Sequence, residues 1–441
     1  MQDPVEVNRY SAERFLWALF NLGTKGKPFS PEYLAGDFGS AGENSVATSG
    51  IRALYNAIVD TEHPKAQTFF GQWKILFGEV CGYDVDSPSD KIKKLAEFYG
   101  VPLKGIKPAE MLFAVHSYYA IFMKLLASEI VAFFHKLPTP LHKMIQAGTS
   151  NKLKREMEDL EAGSIFRHLN ITNFLEGDLF AWYTSVWSDS IEKLIRDMVA
   201  RLDDYNPGTL SEDPVTSRDL LKKLYQQLFP KSVRHDLGEY YTPDWLAEHV
   251  LDEVGYVGDP DTRLLDPACG SGTFLVMAIS RIRKWYDENR ESCRFDQGDL
   301  CRKILSNVVG FDLNPLAVMA ARTNYLVAIR DLVAYSDELE IPVYLCDSVI
   351  TPMEYGDAEQ GEMFGRPMEL RTGAKPAPFF IPREVTRDRS TIGRYTTLLA
   401  ELSPVGSGYD PEAFLTRVAD EGLSATERDE HVLLFNELRE L

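Results

Sequence analysis

Leu264-Leu265-Asp266-Pro267-Ala268-Cys269-Gly270-Ser271-Gly272-Thr273-Phe274 reads as a strand, a turn and a helix in direct succession. Arg263 to Leu265 forms a short apolar run that reads as a buried strand ending on Asp266. Two closely spaced glycines let the backbone turn sharply and approach a ligand without Cβ clashes. Phe274 to Ile279 is an apolar helix opening. Strand, glycine turn and helix make the first crossover of an α/β fold with a doubly wound, Rossmann-like sheet, and a ligand there sits past the strand's carboxyl end. A phosphate loop would need GxxxxGK[ST], and a dinucleotide fingerprint a third glycine; neither is present. Alone, the stretch is also compatible with an ordinary glycine turn.

Two further apolar runs end in acids. Ser306 to Phe311 reads as a second strand ending on Asp312, and Ile341 to Cys346 as a third, followed by Asp347. The first two acids lie further apart than the roughly 20 residues of the compact dinucleotide fold, so the first crossover is enlarged. An acid at the second strand's tip suits a pair of ribose hydroxyls. Asn314 and Pro315 open the next helix, so Asp312 taken singly could be a helix cap. An acidic pocket suits a ligand carrying an ammonium and a sulfonium, as S-adenosylmethionine does, better than it suits a nucleoside triphosphate. Cys269 lies at a helix start, where a thiol pKa can fall. No acid–base partner stands near it in sequence, so it reads as a small residue that fits.

Upstream, Gly238 to Pro243 spells GEYYTP, and Gly310 to Pro315 spells GFDLNP. Thr242 reads as an N-cap, Pro243 as the first helical residue and Asp244 as a dipole-complementing acid. Trp245, Leu246, His249, Val250 and Val254 then form the helix's inward stripe. With the glycine loop, these segments resemble the gamma-class N6-adenine DNA methyltransferases, large S-adenosylmethionine enzymes of restriction-modification and phage-defence systems. The resemblance covers roughly residues 215–350. It implies a class I methyltransferase sheet with S-adenosylmethionine as cofactor. Tyr241, Thr242 and Pro243 would fold over its methionine end. Asp266, Pro267, Ala268, Cys269, Gly270, Gly272, Thr273 and Phe274 would form the first loop of the site. Asp312, Leu313 and Asn314 would follow at the ribose, with Phe311 and Leu313 against the adenine. Asp347 would take the adenine amino group, with Ser348 nearby.

The family's catalytic Asn/Asp-Pro-Pro-aromatic motif, which holds a flipped adenine and stacks on it, does not occur, and the chain contains no Pro-Pro pair. No catalytic residue is therefore assigned. In the family's sheet the fourth strand pairs with the first. Without it the Asp266 strand would be an apolar edge, which soluble proteins avoid. The sequence thus reads as one part of an enzyme whose motif and target-recognition domain come from a complementing chain. Alone it is expected to bind S-adenosylmethionine weakly or not at all, and not to methylate DNA. A non-catalytic scaffold of a DNA-defence complex is the alternative, and a small-molecule or RNA methyltransferase a third.

The remainder divides into a mixed segment (1–60), a helical domain (61–214), the incomplete methyltransferase domain (215–350) and an irregular and helical extension (351–441). Residues 11–21 read as a short helix, 25–50 as irregular, 179–202 as one helix, and 203–214 as a linker. The helix from Pro108 to Lys136 is apolar almost all round, so it is expected to be buried. His116 and His135 on it read as core histidines, and no metal site is assigned. Its most apolar run, 111–123, is too short to span a bilayer, and no membrane partner is expected. No Lys has an acid two places before it, which excludes the usual metal-dependent nuclease core. The formal net charge is -19, which argues against this chain being the main DNA-gripping surface. Five cysteines without zinc spacing read as reduced thiols in a cytoplasmic protein.

Overall fold

The computed structural model describes residues 26–39, 45–81, 90–175, 179–210, 228, 242–290, 293–336, 339–346, 348, 353–354, 368–370, 379–382, 384–385, 389–402, 410–420, 422 and 428–439. Two compact units divide the chain, Met1–Cys346 and Asp347–Leu441. Helices predominate, with small sheets, and the fold is α/β.

The first unit is centred on α2 (Pro108–Phe134), which follows α1 (Val46–Asp60). Helix α2 is apolar on every side, so it has no solvent face and neighbours surround it. Helix α1, capped by Ser45, packs along it. At 27 residues α2 is longer than its most apolar run suggested, and it is apolar enough to cross a membrane. Its side chains are instead buried inside the unit. Two of its buried polar side chains are held by neighbouring elements. Lys124 Nζ lies 2.5 Å from Glu161 Oε2, and the Tyr183 hydroxyl donates to Glu161 Oε1 at 2.6 Å. Trp73 Nε1 donates to His116 Nδ1 at 3.2 Å, and burial depresses the His116 pKa to about 3, so it is a neutral core histidine. Burial also lowers the His135 pKa.

Several readings of the helical region need correction. Residues 179–202 are interrupted: a 3-10 turn, Trp182–Val186, precedes α3 (Asp189–Asp203), which takes Ser188 as its cap. Residues 25–50 contain a helix, Pro31–Phe38, and a strand, Lys27–Pro28. That strand pairs in parallel with Tyr205–Asn206, so part of the expected linker is a buried tie. Two-residue strands carry no periodicity to read. Residues 11–21 lie outside the described residues.

The remaining elements of this unit are α4 (Asp244–Glu253), β1 (Leu264–Asp266), α5 (Thr273–Asn289), α6 (Gln297–Asn307), β2 (Val308–Asp312), α7 (Pro315–Ala328) and β3 (Val343–Leu345). The sheet is parallel in the order β1-β2-β3, with Asp266 opposite Gly310 and Asp312 opposite Leu345. Helix α7 packs on the sheet, on α5 and on α2, so the N-terminal helices underpin the strand-end region.

The two sides of this sheet differ. Beyond β3, Ile171 bridges Leu339, and the Asn173 side chain both donates to the Ile341 carbonyl (2.8 Å) and accepts from its N–H (2.9 Å). A buried amide here imitates a neighbouring strand. At β1 the expectation of a buried strand fails: Leu265 is 55% exposed. The second unit has a small antiparallel sheet, Met353–Glu354, Met368–Leu370 and Phe379–Ile381, and helices Arg389–Leu402, Pro411–Asp420 and Arg428–Arg439.

Candidate functional site

Asp266 and Asp312 stand at the same end of neighbouring parallel strands. The turn between β1 and α5 needs its glycines for backbone reasons: Gly270 has φ 53° and Gly272 φ 85°, both left-handed. A Cβ on Gly270 would meet nothing within 4 Å, so open space lies beside it. A Cβ on Gly272 would lie 3.4 Å from Ala321 of α7. Gly310 is tighter still, because a Cβ there would come within 2.6 Å of Leu275 and 3.1 Å of Cys269. The glycine of GFDLNP thus makes room for the loop of the preceding crossover.

Asp312 is not the cap of α7. That role belongs to Asn314, whose Oδ1 accepts from Leu316 N at 2.9 Å. Asp312 instead links two loops: Oδ2 accepts from Gly270 N at 2.8 Å and Oδ1 from Asn314 N at 2.9 Å. Each oxygen has a further lone pair. Asp266 accepts from Ala268 N at 3.2 Å. Burial raises both carboxyl pKa values, and the charge of Asp312 adds to the rise at Asp266. Among the described residues no cation compensates this pair. A ligand with a positive charge at one end and vicinal hydroxyls further along fits these two acids.

Cys269 is buried, and burial together with Asp312 and Asp266 drives its thiol pKa far above the ordinary range. That setting disfavours the thiolate, and the Cys269 N–H donates to Phe311 O at 2.8 Å, tying the loop to β2. Pro267 and Ala268 are exposed in the turn, Thr273 is buried at the start of α5, and Phe274 is half-buried. Phe311 and Leu313 are half-buried, and the Phe311 ring lies 6.2 Å from that of Tyr344 on β3. Ser348 is exposed. Tyr241 and Asp347 lie outside the described residues.

The helix after GEYYTP departs from expectation. Pro243, with extended ψ 144°, is the N-cap, and Thr242 precedes it without capping. The apolar stripe faces outward: Trp245 and Val254 are each 70% exposed, and His249 is exposed too. The buried pair is Ala247 and Leu251. Arg281 of α5 explains the rotation. Its guanidinium donates to Glu248 Oε2 (3.0 Å), Asp252 Oδ1 (2.7 Å) and the Tyr256 carbonyl (2.7 Å). That grip turns the acidic side of α4, with its small apolar neighbours, toward α5.

Sequence reasoning missed two buried asparagines, Asn173 ahead of β3 and Asn324 beside the glycine loop. Asn324 Nδ2 donates to Ser271 O at 2.8 Å. The signal for it was a run of three polar residues, Arg322 to Asn324, inside a largely apolar helix.

Comparison with known proteins bears on the same stretch. Residues 216–340 match the N-6 DNA methylase family. The resemblance read from the glycine loop and its flanking motifs falls within that methylase segment. A relative in Streptomyces coelicolor, the adenine-specific methyltransferase PglX, is 34% identical over 158 residues, covering 33% of this chain and 12% of the relative. The match therefore spans only about an eighth of the relative's length. Among solved structures, the ATP-dependent Type ISP restriction-modification enzyme LlaBIII bound to DNA aligns with 96% of this chain and 26% of its own, at 12% identity and TM-score 0.31. A DrdV–DNA complex aligns with 68% of this chain and 26% of its own, at 13% identity and TM-score 0.25. Neither TM-score carries a structural argument.

Proposed function

We propose that this chain is the S-adenosylmethionine-binding part of a site-specific DNA adenine-N6 methyltransferase serving restriction-modification or phage defence. The observation that carries the reading is the uncompensated Asp266–Asp312 pair beside a left-handed glycine loop, inside a segment that matches N-6 DNA methylases. On this reading the remaining lone pairs of Asp312 accept the two ribose hydroxyls, and Asp266 faces the cationic end. The loop residues Pro267 to Phe274, with Leu313 and Asn314, complete the lower wall. Tyr241, Thr242 and Pro243 cover the methionine end, and Asp347 and Ser348 meet the adenine. The sheet belongs to the doubly wound methyltransferase class. The cofactor supplies the methyl group, and this chain's residues hold and orient it for an adenine presented elsewhere.

On this reading the adenine pocket, the Asn-Pro-Pro-aromatic motif and DNA reading are supplied by a segment other than these 441 residues, on the same polypeptide or on a complementing one. Among the described residues β1 is an edge strand of the sheet, which supports addition of a further strand there. The net charge of -19 also suits a chain that leaves phosphate contacts to its partner. The test is titration of the full chain with S-adenosylmethionine and with its demethylated product. Weak, saturable binding of both is expected, with no methyl transfer to DNA by the chain alone. Robust adenine methylation by the purified chain would overturn the split-enzyme part, and absence of any binding would overturn the cofactor part.

A further inference from the structure

We propose that Asn324 is a positioning residue for the glycine loop, an inference that rests on the loop being part of the cofactor site. Helix α7 is buried along almost its whole length, and three consecutive polar side chains, Arg322, Thr323 and Asn324, stand in it. Thr323 turns back on its own helix, donating to Met319 O at 2.8 Å. The other two reach outward to elements on either side of β2. Arg322 Nε donates to Val343 O of β3 at 3.0 Å, and Asn324 Nδ2 to Ser271 O at 2.8 Å. The helix that follows the ribose acid thereby bonds the start of β3 on one side and the glycine loop on the other.

Asn324 is only 3% exposed. Asparagine is a poor interior helix residue because its amide competes for backbone partners. Burying an amide without a hydrogen bond costs about 1–3 kcal/mol. Leucine would serve α7 better unless the loop needs the donor. The loop does need one at that place. Ser271 sits between Gly270 (φ 53°) and Gly272 (φ 85°), and glycine restrains the adjoining peptide planes least. Gly270 is fixed from one side by Asp312, and Cys269 by Phe311 O. The Ser271 carbonyl is fixed by Asn324, three residues along α7 from Ala321, which meets Gly272. Residues three apart share a helix face, so one stripe of α7 sets both the approach and the peptide orientation of the loop.

Two variants of the full chain test this. Asn324→Leu keeps the branched outline of the side chain and removes the donor. Asn324→Asp keeps the shape and offers an acceptor to a carbonyl. Amide hydrogen exchange is followed in ligand-free protein over residues 268–275, with α2 as the internal reference. S-adenosylmethionine affinity is measured across pH beside the parent. In both variants, loop exchange is expected to rise at least about tenfold with α2 unchanged, and affinity to fall about tenfold, the worth of one buried hydrogen bond. For Asn324→Asp, the gap to the parent should narrow as pH falls, because a protonated carboxyl donates to Ser271 O again. A purely structural residue would not produce that pH signature. Parent-like loop exchange in both variants, or exchange rising equally in α2, overturns the proposal while leaving the cofactor reading intact. If the parent binds no S-adenosylmethionine, the cofactor reading falls, and exchange in the loop still decides whether Asn324 positions it.

Discussion

Asp312→Asn separates what the ribose acid does for the fold from what it does for a ligand. The carboxylate accepts two backbone N–H groups, from Gly270 at 2.8 Å and Asn314 at 2.9 Å. An amide has one oxygen, so one of these donors must face an NH2 group. The bond to Asn314 is local, two residues along the chain, and the amide oxygen keeps it. The bond to Gly270 is lost. A hydrogen bond to a charged acceptor is worth about 1.5–3 kcal/mol. Against that loss, the substitution removes a carboxylate whose pKa burial has raised, and so relieves a desolvation cost. The two effects oppose each other, and the net change in stability should be below about 3 kcal/mol. Ligand affinity has no such offset: one ribose hydroxyl loses a charged acceptor and meets a donor. The expected loss is at least about 2 kcal/mol, or roughly 30-fold. Thermal unfolding and equilibrium dialysis with labelled S-adenosylmethionine measure the two quantities on one preparation. A folded Asp312→Asn protein that binds like the parent would refute the assignment of Asp312 to the ribose.

Other perturbations test neighbouring parts. The folded pKa of Asp266 is raised above its ordinary 3.8, so its contribution to stability is greatest at acid pH and is lost as pH rises through the folded value. Asp266→Asn keeps the acceptor for Ala268 N and should raise the melting temperature at pH 7, with the gain vanishing below about pH 4 on a pH series of thermal melts. Gly258→Ala should destabilise by about 2–5 kcal/mol in denaturant unfolding, since it adds left-handed strain to steric overlap; Gly258 has φ 88°, and its Cβ would lie 2.4 Å from the Arg281 backbone. Lys124→Met should cost about 3–5 kcal/mol by stranding a buried carboxylate, and adding Glu161→Gln should recover much of it; an additive double-mutant cycle would refute that coupling.

How much of this was legible in sequence depended on whether the decisive contact was local. Two short apolar runs ending in Asp marked strand tips, and β1 and β2 end on Asp266 and Asp312. Asn314-Pro315 marked the start of α7, because a cap and a first-turn proline act within three residues. The burial of α2 followed from its lack of a polar face. By contrast, periodicity on α4 showed which residues share a face but not which face turns inward, and a single side chain from another element, Arg281, decided that. Asn173 and Asn324 bond residues far away in sequence, so no spacing rule could find them.

The sheet's two sides carry the functional argument one step further. A three-stranded parallel sheet with short strands has little to hold it unless both sides are covered. On the β3 side the helical region supplies a substitute strand, with Ile171 bridging Leu339 and Asn173 pairing both backbone groups of Ile341. On the β1 side, Leu265 is 55% exposed, and Trp245, Val254 and Val257 on the connection leading to β1 are each 70% exposed. Large apolar side chains turned outward beside an open strand are an aggregation hazard unless something covers them. An N-terminal domain that seals one side with a buried amide, beside a β1 edge that no described strand pairs, supports the proposal that a further strand completes the sheet there. On the proposed reading the same addition would help to enclose the acidic strand ends, so cofactor affinity and partner binding should rise together. Binding of S-adenosylmethionine that is indifferent to a partner occupying the Leu265 side would break that link.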